Sequence, residues 1–377
     1  MTAGTRATPS TSANSADQAV SLRAADLDRL RTTVSDTLEA FLAEKRAVLA
    51  GMDDELVPVL EEVRAVAEGG KRLRPAFAYW GWRAVSTAHP EDDAAVLRAV
   101  AALEFVHGSA LVHDDVMDEA TTRRGRRSTH IGFAGRHADH GLDGDPALFG
   151  TGAAILVGDL ALVWSDELLR RSGISAEALV RARPVWDTMR TEVTAGQYLD
   201  LLRAAGGLPG PEGALKVARY KSAGYTVQRP LHLGAAIADA GPDVVEAYTA
   251  IALPLGEAFQ LRDDVLGVFG DPDVTGKSAD EDLREGKQTL LVALTETSAD
   301  AEGRALLRRV LGDPRSTADD LDAVRDLMRS CGALQQVEDR ITTQTAAARE
   351  AIAEAPVLDD ARSALDALAV AATTRTT

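Results

Sequence analysis

The chain has 377 residues, of which 45 % are hydrophobic and only 4 % aromatic, and it carries a formal net charge of −17. Length alone suggests about two domains, and abundant alanine with few aromatics favours closely packed helices over a sheet. The acidic balance argues against general nucleic-acid binding, which needs a basic face, and against docking on an anionic membrane.

Residues 1–22 are rich in Ser, Thr and Ala, lack the apolar core of a signal peptide and read as a disordered tail. Apolar residues then recur at spacings of three and four. They predict helices over Leu27–Leu49, Asp92–Asp118, Thr151–Arg171, Glu177–Ala205, Gly213–Ala240 and Asp243–Phe269. Further helices are predicted over Gln288–Thr297, Glu302–Leu311, Thr317–Ser330, Leu334–Ala353 and Leu358–Ala371. Pro184 is expected to start a new segment, and Pro230 and Pro254 to kink their helices. Two irregular stretches interrupt the pattern, Ile131–Gly150 and Gly270–Lys287, each after a helix that ends in aspartates. No alternating strand pattern, fixed-period repeat or mid-chain linker appears. The expectation is one all-α domain over 23–371, with a short tail at 372–377. The longest apolar stretch, Ala153–Val163, is broken by Gly158-Asp159, so no run is expected to reach the roughly 18 residues of a membrane span. The single cysteine, Cys331, cannot form an internal disulfide, which makes a reducing cytoplasm the expected compartment.

Three segments can carry chemistry. Asp114-Asp115-Val116-Met117-Asp118 closes a helix whose preceding residues, Leu103, Phe105, Val106, Leu111 and Val112, read as buried. Asp114 and Asp118 share one helix face and repel unless a cation lies between them. Hard carboxylate oxygens suit Mg²⁺. A solvated acidic helix end is the bland alternative, but carboxylates at the rim of an apolar helix call for a ligand. Gly69-Gly70-Lys71-Arg72-Leu73-Arg74-Pro75 and Arg123-Arg124-Gly125 supply cations that match phosphate oxygens. The glycine pair either lets backbone approach a phosphate or simply ends a helix. Asp263-Asp264, behind Phe259-Gln260, forms a second acidic pair. His107 lies two turns before Asp114, as either a satisfied core histidine or a phosphate contact. His137 and His140, with nearby aspartates, read as a polar loop rather than a metal cluster.

In this order, GGKRLRP, DDVMDxxxxRRG and FQLRDDVLGVFGD resemble the trans-type polyprenyl (isoprenyl) diphosphate synthases, and in particular those that are geranylgeranyl-diphosphate-synthase-like. The resemblance runs from about Val57 to Ala353, with Gly158-Asp159, Gly196-Gln197 and Lys221-Ser222 as further landmarks. It implies a single-domain isoprenoid-synthase-type helical bundle around a deep apolar cavity, with the two aspartate motifs facing each other across its mouth, and a homodimer. It implies that Lys71, Arg74, His107 and Arg124 hold the diphosphate of isopentenyl diphosphate. Arg123, Lys221, Ser222, Gln260, Lys277 and Lys287 would contact the allylic diphosphate. Asp114, Asp118 and Asp263 would ligate three Mg²⁺, supported by Asp115 and Asp264. The family's second motif ends in a third aspartate. Here that place is Gly267, and Asp271 lies one turn further. Arg127 and Ser128 replace the usual proline and threonine, and Ser222 a common threonine.

Two other readings share parts of this pattern. A class I terpene cyclase would not need GGKRLRP or the Arg pair. A non-catalytic partner subunit usually loses aspartates from the first motif, and this chain keeps all three. Product length is read from the residues before Asp114. Bulky aromatics there form a floor at C15 in the family, whereas this chain has Ser109 and Ala110, with medium-sized Val106 a turn deeper. The expected product is longer than C15, C20 geranylgeranyl diphosphate first, with C25 or longer as the alternative.

Overall fold

The computed structural model describes residues 11–85, 91–271 and 279–374, with side chains from residue 27 onward. Almost all of it is helix. Helix α1 runs over Thr11–Ala50, α2 over Val57–Ala67, α3 over Leu73–Arg83 and α4 over Asp93–Met117. Next come α5 (Thr129–Asp139), α6 (Pro146–Arg170), α7 (Ala176–Ala204) and α8 (Gly210–Val217). A wide π segment, Ala218–Gln228, joins α8 to α9 (Arg229–Ile237), and α10 spans Pro242–Phe269. The remainder is α11 (Glu281–Arg284), α12 (Leu290–Ser298), α13 (Ala301–Val310), α14 (Ala318–Ser330), α15 (Ala333–Glu354) and α16 (Asp359–Thr373).

Several expectations need correction. Helix α1 begins at Thr11 and takes in 11–22, while residues 1–10 lie outside the described part. Helices α2, which ends just before GGKRLRP, and α3, which begins within it at Leu73, were not predicted, because the basic run masks the apolar period. Pro184 does not begin a new segment. It lies inside α7, exposed, between the buried anchors Ala182 and Trp186, so one lost hydrogen bond leaves the helix intact. The stretch Ile131–Gly150 is mostly helical, because its glycines let α5 press on α6. A Cβ on Gly150 would come within 2.2 Å of the His130 carbonyl. His137 is buried on α5, with its Nε2 3.1 Å from the Asp143 carbonyl oxygen. Two helices, α4 and α6, are long and apolar enough to cross a membrane by length and composition, although Asp159 interrupts the longest run. Helix α4 is a core helix, whereas only 33 % of the apolar window of α6 is buried.

Two apolar cores result. The larger joins α1 to α4, α6, α7, α9 and α16 through Phe77, Trp82, Phe105, Trp186 and Leu365. The smaller joins α12 to α15 through Leu291, Val310, Val324 and Val337. Helix α10 serves both, with Tyr248, Ile251 and Leu255 in the first and Leu261, Val265 and Val268 in the second. That shared helix carries Asp263 and Asp264.

Close helix crossings need glycine. A Cβ on Gly196 of α7 would lie 2.3 Å from the Lys221 backbone nitrogen, and one on Gly158 of α6 2.3 Å from His113 Nε2. The landmark glycines therefore seat Lys221 and α4. Gly196→Ala should destabilise the fold by about 1–3 kcal/mol, as overpacking does, and should shift Lys221. Urea denaturation, together with turnover, checks this. Wild-type stability in the variant would contradict the crossing.

Candidate active site

Helix α4 presents the first acidic motif on its last turn. Asp115 points inward, 3 % exposed, and accepts a hydrogen bond from Arg123 Nε at 2.7 Å. Asp114 Oδ1 accepts from Lys221 Nζ at 2.7 Å and from Gln197 Nε2 at 2.9 Å. Lys221 also donates to Asp200 at 2.5 Å. Arg123 lies 3.7 Å from Asp114. Arg123 and Arg124 stand on a two-residue-stranded hairpin, Thr122–Arg123 paired with Arg126–Arg127. Its turn places Arg124 and Gly125 at φ of 52° and 72°, the left-handed pair of a type I′ turn.

Opposite stands α10. Gln260 donates to Asp264 at 2.7 Å. Lys287 donates to Asp282 and lies 3.0 Å from both Asp282 and Glu285. Its charge also favours ionisation of Asp114, Asp118 and Asp264.

The second cluster is basic. Gly69 and Gly70 both adopt positive φ, so the chain turns sharply after α2 and brings Gly70 within contact distance of Arg124. Arg72, also at positive φ, is buried against Glu104 at 2.6 Å and fixes the turn. Lys71 is exposed beside it. Arg74 donates to the hydroxyls of Tyr225 at 2.8 Å and Thr226 at 3.0 Å, both from the π segment. His107 Nδ1 lies 3.2 Å from the Tyr225 hydroxyl. Arg74 Nε is buried with no hydrogen-bond partner.

The electrostatics divide along the same line. Burial opposes ionisation of Asp114, but Lys221, with Lys287 and Arg123, brings its pKa down to about 2. Burial and the neighbouring Asp114 charge raise Asp118 to about 6 against the pull of the two lysines. Burial raises Asp264 to about 7, with Asp282 and Asp263 adding to it and Gln260 opposing. Lys221 and Lys287 are held cationic above their ordinary values, the surrounding carboxylates outweighing burial. Burial, then Arg74, Arg124, Arg123 and Arg72, pushes His107 well below its usual pKa, so it is neutral near pH 7. Hard oxygen donors on one helix face, one of them reluctant to ionise, fit a small divalent cation. Crowded guanidinium groups with an orphaned N–H fit an anion such as phosphate.

The Polyprenyl synthetase family profile matches residues 58–328. The chain belongs to this family. It is a prenyltransferase of the trans-prenyl diphosphate synthase type. Geranylfarnesyl diphosphate synthase of Aeropyrum pernix is 31 % identical over 297 residues, 78 % of this chain and 86 % of that protein. Nonaprenyl diphosphate synthase of Mycobacterium tuberculosis is 31 % identical over 290 residues, 76 % of this chain and 78 % of that protein. A solved geranylgeranyl pyrophosphate synthase from Corynebacterium glutamicum, complexed with isoprenyl diphosphate and magnesium, is similar at TM-score 0.90 and 39 % identity. It covers 93 % of this chain and 99 % of its own.

In this prenyltransferase Arg74 and Arg124 act electrostatically on His107, while Lys71 stands exposed next to buried Arg72. Lys221 and Lys287 act on Asp114 and Asp118, and Arg123 acts on both His107 and Asp114. Ser222 follows Lys221 on the π segment, half-buried. Lys277 lies outside the described residues. Asp271 is exposed beyond the end of α10, and it is Asp282 that lies over Gly267. Sequence reading missed Asp282, Asp200, Tyr225 and Thr226. The only signal for Asp282 was a glycine in a carboxylate's place, followed by an acidic segment ending in Lys287.

These pKa values set a pH dependence. Asp118 and Asp264 hold protons more tightly folded than unfolded. Their contribution to stability is complete below the ordinary carboxylate pKa and is lost as pH rises through about 6 to 7. Asp114 has the opposite sign, its contribution being lost as pH falls toward 2. The metal-free protein should melt at lower temperature as pH rises from about 5 to about 8, and Asp264→Asn should reduce that fall. Calorimetry across this range decides it, and identical slopes in the two proteins would refute the assignment.

Proposed function

We propose that this chain is a Mg²⁺-dependent prenyltransferase that condenses isopentenyl diphosphate with an allylic diphosphate in trans elongation, and that its end product is C20 geranylgeranyl diphosphate. The observation that carries the reading is the pairing of two separate cation clusters with two acidic faces. Each cluster suits one diphosphate, and only that of Lys221 and Lys287 adjoins the motif aspartates.

Asp114, Asp118 and Asp263 would hold the metal, three ions in full, with Asp115 and Asp264 supporting. When bound, Mg²⁺ neutralises charge on the leaving diphosphate. Lys221, Lys287 and Arg123 add to that stabilisation at positions fixed before reaction. Gln260 holds Asp264, and Ser222 and Lys277 are assigned to the same allylic side. Lys71, Arg74, Arg124 and neutral His107 hold isopentenyl diphosphate so that its double bond faces C1 of the allylic group. The C1–O bond breaks and its electron pair leaves with the diphosphate. The isopentenyl π pair forms the new C–C bond, and the departed diphosphate takes the proton that restores a double bond. Apolar walls keep water from the cation.

The size argument supports C20. Val106 and Ser109 are buried and Ala110 is half-buried, so α4 itself puts no aromatic side chain at the positions one turn before Asp114. Relatives named for geranylgeranyl, geranylfarnesyl and nonaprenyl diphosphates support a longer product, whereas one 32 % identical is named for farnesyl diphosphate, so the choice of C20 rests on the residues of α4. A cytoplasmic homodimer belongs to the same reading. Leu148, Leu156 and Val163 of α6 are exposed at 73 %, 64 % and 62 %, an apolar face that a second copy would cover.

Incubation with labelled isopentenyl diphosphate and C5, C10 and C15 primers tests the whole. C20 product, abolished by EDTA, is expected. Ser109→Phe or Ala110→Phe should shorten the product toward C15. A wild-type end product of C10 or C15, or full turnover in EDTA, would overturn the reading. Lys71→Ala and Arg74→Ala should mainly raise KM for isopentenyl diphosphate, and Lys221→Ala should mainly impair use of the allylic substrate. Initial rates with each substrate varied in turn check the split. If all three variants affected only the allylic substrate, the assignment of the two pockets would fall.

A further inference from the structure

Gly267 lies four residues after Asp263 on α10, so a side chain there would project from the same helix face. That space is already filled. A Cβ on Gly267 would lie 1.7 Å from Asp282 Oδ2 and 2.7 Å from Asp282 Cγ. The carboxylate of Asp282 thus occupies the volume that a longer side chain at 267 would claim.

Asp282 does not arrive there by chance of a loose loop. It belongs to α11, whose Leu283 is 1 % exposed in the smaller core. Arg284 donates to the carbonyls of Ser316 at 2.6 Å and Pro314 at 3.1 Å. Arg325 donates to Val268 O of α10 at 2.8 Å and to Ala279 O at 3.1 Å, tying α11's approach to α10 itself. Gly312 N donates to Leu283 O at 2.9 Å. On the far side, the Thr122 hydroxyl donates to Glu281, which links α11 to the hairpin that carries Arg123 and Arg124.

We propose that Asp282 is the third carboxylate of the second acidic face, holding with Asp263 the cation that would otherwise engage an aspartate at 267, and that Gly267 is the gap that admits it. This rests on the reading of Asp263 as a metal ligand. Asp282 Oδ1 is engaged by Lys287 at 3.0 Å, and Oδ2 lies over the glycine beside the Asp263 face. A carboxylate delivered from a second helix ties metal binding to the seating of α11, and so to Lys287 five residues later.

The alternative role for Asp282 is as a counter-ion of Lys287 alone. Titration of Mg²⁺ in the presence of inorganic diphosphate, followed by calorimetry and by competition with Mn²⁺ in electron paramagnetic resonance, separates the two. Asp282→Asn keeps the shape and should weaken the affected Mg²⁺ by at least the roughly 10- to 100-fold that loss of even an outer-shell partner costs. Asp282→Gly should do the same. Adding Gly267→Asp to Asp282→Gly moves the carboxylate back onto α10 and should recover most of the affinity. Wild-type Mg²⁺ affinity in Asp282→Asn would overturn the proposal in favour of the counter-ion role. So would failure of the exchanged pair to recover in a protein that melts like wild type. If the wild-type chain bound no Mg²⁺ with diphosphate, the reading of Asp263 itself would fall, and this proposal with it.

Discussion

Carboxylates concentrated in a partly buried cleft repel one another, and the fold is arranged around restraining that repulsion without removing it. Lys221 sits between Asp114 and Asp200, and Lys287 pairs with Asp282 and Glu285 while its charge acts on Asp114 and Asp118. Two lysines keep the acidic faces together but leave Asp118 and Asp264 reluctant to ionise. The remaining deficit of positive charge is what divalent cations supply. A fully compensated site would have less to gain from metal.

The scaffold makes that arrangement stiff. Helix α10 is buried in both cores, so its aspartates cannot retreat from α4 without breaking apolar packing on one side or the other. Helix α7 presses on the π segment through Gly196, and this sets the height of Lys221 against Asp114. The same π segment presents Tyr225 and Thr226 to Arg74, so one irregular stretch orients cations of both clusters. Irregular helical geometry of this kind is common at functional sites, because it redirects side chains that a regular helix would turn away.

Much of this was legible in the sequence, for physical reasons. Asp114 and Asp118 were readable because a helical period fixes which residues share a face, and α4 ends as expected. Gly69-Gly70 read as the possible end of a helix, and both glycines take positive φ just after α2, whereas the turn at Arg124-Gly125 was not foreseen. The helices at Val57–Ala67 and Leu73–Arg83 were hidden by a run of charges that serves the site rather than the core. Pro184 misled because proline's rule concerns one hydrogen bond, whereas the packing of Trp186 and Met189 decides the helix. Asp282 was invisible because its relation to Gly267 joins residues distant in sequence. A glycine reports missing volume but not what fills it.

The central claim is that two acidic faces on α4 and α10 share cations around one diphosphate. Anomalous diffraction from crystals grown with Mn²⁺ and an unreactive thio-analogue of an allylic diphosphate addresses it directly. The account predicts anomalous peaks bound by Asp114 and Asp118 on one side and by Asp263 on the other, with the analogue's phosphate oxygens between them. Peaks confined to one helix, or a diphosphate held by the arginines with no ion beside the aspartates, would contradict it.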